Sequence, residues 1–105
     1  MSIYKEGIML GTLFLEERKI RLEQISLSLQ EKGEITVYIK EEASTRFVIK
    51  KKSESYYIVS VNYVQESMAH FRRQCCCSIS RAIGIINSAL AGKDKEKLFR
   101  ENMAG

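Results

Sequence analysis

The sequence predicts an α+β fold: an N-terminal helix, a three-stranded antiparallel meander, a long C-terminal helix packed on the sheet, and a short tail helix. Three observations carry this expectation. Residues 64–91 hold apolar side chains at steps of three and four, the spacing by which a helix buries one face. Residues 34–62 hold three alternating runs separated by short polar turns, the pattern of half-buried strands. Residues 12–31 are charge-rich and composed mostly of good helix formers.

Residues 1–9 read as a loose lead-in. In the 12–31 helix Thr12 is the cap, and Phe14, Leu15, Leu22, Ile25 and Leu29 share a face. Leu13, Ile20 and Leu27 form a second row, which needs its own cover. The competing reading is strands, with GIMLGTLFL as one and the alternation at Ile25, Leu27 and Leu29 as another. Lys32-Gly33 ends the element. In the meander, EITVYIKEE (34–42) turns Ile35, Val37 and Ile39 one way. RFVIKK (46–51) turns Phe47 and Ile49 the same way, and YYIVSVN (56–62) adds Tyr57, Val59 and Val61.

The long helix starts at the Asn62 cap and carries the stripe Val64, Met68, Phe71, Cys75, Ile79, Ala82, Ile86 and Leu90. Gly92 is its left-handed end. Residues 93–105 are a charged tail, with Asp94 capping a short helix that docks Leu98 and Phe99.

The length of 105 residues implies one domain, 1–105. No apolar run is long enough to span a bilayer, and the N-terminus is a poor signal peptide. With three adjacent cysteines and no signal, the expected compartment is the reducing cytoplasm. The net charge is +4. Residues 1–66 balance ten Lys and Arg against ten Glu, whereas residues 67–105 carry seven basic against three acidic residues, so the excess belongs to the C-terminal part.

No catalytic, cofactor or metal motif is present, so the chain is expected to be non-enzymatic, with a cysteine-dependent redox or thiol enzyme as the weakest alternative. On a helix Cys75, Cys76 and Cys77 point about 100° apart and cannot close on one zinc. Cys75 falls on the core stripe and Cys77 on the polar face between Arg73 and Arg81, a setting that lowers a thiol pKa. His70 lies seven residues from Cys77 on that face, beyond hydrogen-bond reach. Glu16-Glu17 and Glu41-Glu42 read as solvated charge.

Two surfaces remain as candidates. The first is the polar and small face of the long helix, with Arg73, Cys77, Arg81, Gly84, Ile85 and Ser88 as a protein interface. Gly84, Ser88 and Gly92 are spaced four apart, which suits close backbone approach, either internally or across a homodimer seam. The second is the outer face of the meander, where Tyr38, Lys40, Arg46, Lys50, Lys51 and Tyr56 interleave aromatic and basic side chains, as a platform for single-stranded nucleic acid does.

The helix–three strands–helix order resembles double-stranded RNA-binding domains and the Alu-binding proteins of the signal recognition particle. The basic helix-start motif of the former is replaced here by VQESMAHF. The functional expectation is a small dimeric binding protein acting on a protein or protein–nucleic-acid complex, in the manner of a phage or mobile-element inhibitor of a host nuclease. The alternative is a nucleic-acid-binding module.

Overall fold

In a computed structural model, residues 8–40, 42–64 and 70–103 are described. They form a mixed sheet whose spatial order follows the chain: β1 (Ile8–Met9), β2 (Thr12–Leu15), β3 (Glu34–Ile39), β4 (Glu42–Ser53), β5 (Tyr56–Val64) and β6 (His70–Cys77). The two-residue β1 is a short edge on five principal strands. β2 and β3 run parallel, joined through α1 (Leu22–Lys32); all other neighbours are antiparallel. After β6 come α2 (Ile79–Leu90) and α3 (Lys95–Met103). The chain is α+β, but not with the architecture expected above.

The N-terminal helix over 12–31 is corrected first. Its first four residues are strand β2, and only Leu22–Lys32 is helical. Gly11, at φ 88°, turns the chain between β1 and β2. Beyond it Leu13 and Leu15 are buried while Phe14 is exposed, a period of two. The charged residues between β2 and α1 favour a helix by propensity, yet they are held as a loop by contacts from far along the chain. The Ile20 N–H donates to Asn87 Oδ1 (2.7 Å) and Asn87 Nδ2 donates to the Ile20 carbonyl (3.1 Å). Arg18 Nε donates to the Leu90 carbonyl (2.7 Å) at the end of α2. Gly33, at φ 75°, ends α1 with its N–H on the Leu29 carbonyl.

The long helix over 64–91 is the second correction. Its first half contains strand β6, and helix begins only at Ile79. Ser78 caps α2 by accepting the Arg81 N–H on its Oγ (3.3 Å). A step of four, such as Phe71 to Cys75, returns to the same side of a strand as well as of a helix, so the stripe did not discriminate. Asn62 lies inside β5 and caps no helix, and the helix–three strands–helix order falls away with it. Residues 65–69 lie outside the described residues.

The third correction follows. β3, β4 and β5 do pair antiparallel, but as the middle of the larger sheet and not as the whole of it. Of the inward set read from the sequence, Ile35, Val37, Ile39, Phe47, Ile49, Val59 and Val61 are buried, and Tyr57 is partly buried against them. Leu13, Leu15, Cys75 and Cys77 extend the same face across β2 and β6. Ile25 and Leu29 of α1, Ala82, Ile86 and Leu90 of α2, and Leu98 and Phe99 of α3 close over it as one core. Asp94 Oδ1 caps α3 by accepting the Glu96 and Lys97 N–H groups.

Candidate functional site

Because α1, α2 and α3 all contribute to the single core on one side, the other side of the sheet is open among the described residues. Strand register arranges that open face in rows. One row runs Phe14, Tyr38, Arg46, Asn62 from β2 to β5; the next runs Thr12, Thr36, Val48, Ser60, Gln74. A third runs Glu34, Lys50, Ile58, Cys76. Phe14 is 47% exposed and stacks on Tyr38 with ring centroids 5.3 Å apart and planes 16° from parallel. Beside that pair a shallow trough of about 480 Å³ crosses β4, β5 and β6, and Arg46, Lys50, Lys52, Ser60, Asn62 and Gln74 are among its lining.

The cations of this face differ from those elsewhere. Among the described residues, Arg46, Lys50 and Lys52 make no ion pair or side-chain hydrogen bond. Lys51, one residue away but on the helix-bearing side, pairs with Glu54 at 3.5 Å. Arg73 pairs with Glu96 at 3.5 Å, and Arg18 with Glu42 at 3.1 Å. Glu34 lies opposite Lys50 in register, outside ion-pair distance. Next to Phe14, a hollow of about 280 Å³ is lined by both signs of charge, Glu16 and Glu17 with Lys19 and Arg21.

Of the residues expected to form a nucleic-acid platform, Tyr38, Arg46 and Lys50 lie together on this open face. Tyr56 is 54% exposed at the start of β5, by the β4–β5 turn, and Lys40 is exposed in the turn after β3. Lys51 is removed from the group because alternation turns it to the other side. Phe14, Asn62 and Gln74 were missed. Each had been placed in or at the start of a helix, and the signal that could have found Phe14 is the alternation in GTLFL.

The expected protein interface is rearranged. Arg81, Gly84, Ile85 and Ser88 line a groove of about 490 Å³ beside α2, together with Leu98 of α3. Open space surrounds the position of a Cβ on Gly84, so the close internal backbone approach considered for this strip is absent there. Arg73 lies on the helix-bearing side of β6. Cys77, only 6% exposed, points into the core and not between two arginines. Burial raises its pKa, the reverse of the lowering that the helical placement implied. Burial and the neighbouring Cys77 push the Cys75 thiol up to about 12. Cys76 is exposed on the open face. His70 and Cys77 stand at opposite ends of β6, roughly 23 Å apart at a strand's rise.

Among the described residues no group of three potential ligands could hold a metal ion, and no helix is long and apolar enough to cross a membrane. Set against models of known protein families, curated proteins and solved structures, the chain matches none.

Proposed function

We propose that this chain is a nucleic-acid-binding module that takes single strands on its open sheet face. The observation that carries the reading is the junction of the Phe14–Tyr38 stack with three unpaired cations, Arg46, Lys50 and Lys52, on a side that no described helix covers. Aromatic faces accept unpaired bases by stacking, and lysine and arginine neutralise phosphates. A duplex keeps its bases stacked inside and offers the rings nothing. A second copy of this chain fits the face poorly, because like charges would be brought together. The test is binding of labelled single-stranded DNA and RNA at low and moderate salt. Expected is an affinity that falls steeply with salt and is lost on combining Tyr38→Ala with Lys50→Ala. Absence of binding to any single strand at low salt overturns the reading.

A second reading, contact with another protein through α2, is favoured by the open groove at Gly84. A second copy of the chain is its simplest occupant. Sedimentation distinguishes the two: a monomer at high concentration removes the dimer. A dimer that Gly84→Leu dissociates supports it, since a Cβ at this position meets nothing inside the fold.

A further inference from the structure

We infer that the open face reads base identity, with the amides of Asn62 and Gln74 as the reading groups. The inference rests on the single-strand reading above and goes one step beyond it. Stacking and charge alone hold any sequence, because every base has a ring face and every nucleotide a phosphate. The trough contains more than those two elements need. Asn62 from β5 and Gln74 from β6 both line it, one register row apart, with Ser60 directly opposite Gln74 in the register. Among the described residues neither amide makes a hydrogen bond to the protein, whereas the amide of Asn87 on the other side makes two.

A side-chain amide presents an NH2 donor group beside a carbonyl acceptor in a fixed plane, and it pairs in bidentate fashion with the N6 and N7 edge of adenine. Unpaired bases leave that edge accessible.

The geometry also orders the contacts. A strand laid across the sheet from β2 to β6 covers about 19 Å. Its first base rests on Phe14 and Tyr38. Arg46, next in the same row, holds the following phosphate, and the next base enters the trough at Asn62 and Gln74.

The experiment compares labelled oligo-dA, oligo-dC and oligo-dT of about 12 nucleotides, a length within the usual range of single-strand sites. It uses the full chain and its Asn62→Ala, Gln74→Ala double variant. Expected is a preference for oligo-dA of about tenfold, within the range of one bidentate amide–base pair, which the double variant abolishes while retaining the affinity for oligo-dT. Unchanged thermal unfolding of the double variant shows that it is folded. Equal affinity of the native chain for all three, or a preference that survives both substitutions, overturns base reading and leaves single-strand binding standing. Binding to none of the three overturns both.

Discussion

The two sides of this sheet are built from the same strands, one residue out of phase, and their chemistry is opposite. Phe47 is fully buried under helices; Arg46 and Val48, its neighbours in the chain, belong to the open face. On the covered side, described cations such as Lys51 and Arg73 have acidic partners and Asn87 is fully engaged. On the open side Arg46, Lys50, Lys52, Asn62 and Gln74 have no such partner among the described residues. Polar groups that have a structural task are held by the fold. Those left without one, gathered in a single trough, are where a ligand has something to gain.

The largest effect that tests this contrast is on stability. Phe47→Ala leaves a cavity under the helices and is expected to cost about 3–5 kcal/mol, whereas Arg46→Ala is expected to stay within about 0.5 kcal/mol. Urea unfolding of both variants measures the difference, and similar losses would erase the distinction between the sides. A second test is chemical. Cys76 is exposed and Cys75 and Cys77 are buried with raised pKa values. In the folded protein at neutral pH, iodoacetamide is therefore expected to modify one thiol quickly, and the other two only on unfolding; mass spectrometry counts them. Three equally fast thiols would mean that β6 does not face the core as described.

The third test is in pH dependence. Below pH 9.0, the ordinary thiol value, Cys75 holds its proton whether the chain is folded or not. Between there and about 12 the unfolded chain releases that proton while the folded one retains it. The unfolded state then binds fewer protons, so stability falls as pH rises through this window. In Cys75→Ala that part of the alkaline slope is expected to disappear, as read from unfolding midpoints. An unchanged slope would sink the assignment.

What was legible in the chain was whatever a short stretch decides for itself. The alternation at Ile35, Val37, Ile39, Phe47, Ile49, Val59 and Val61 has one solution, and those side chains are the core. Gly33 and Gly92 adopt the left-handed conformation expected of helix ends, and Asp94 caps the tail helix. The open-face positions of Tyr38, Arg46 and Lys50 followed from the same alternation.

What tertiary structure decided were stretches whose local signals were degenerate. HFRRQCCC satisfies a strand and a helix about equally, and pairing with β5 settles it, because an extended partner stood beside it. EERKI prefers helix by propensity, yet Asn87 and Arg18 tie it to α2 across more than sixty residues of sequence, which no local pattern records. The position of β2, and therefore of Phe14 beside Tyr38, depends on a parallel pairing that closes only after α1 has crossed between them. Patterning specified which residues face inward. Long-range hydrogen bonds specified how many strands share that face, and so which side of the sheet was left open.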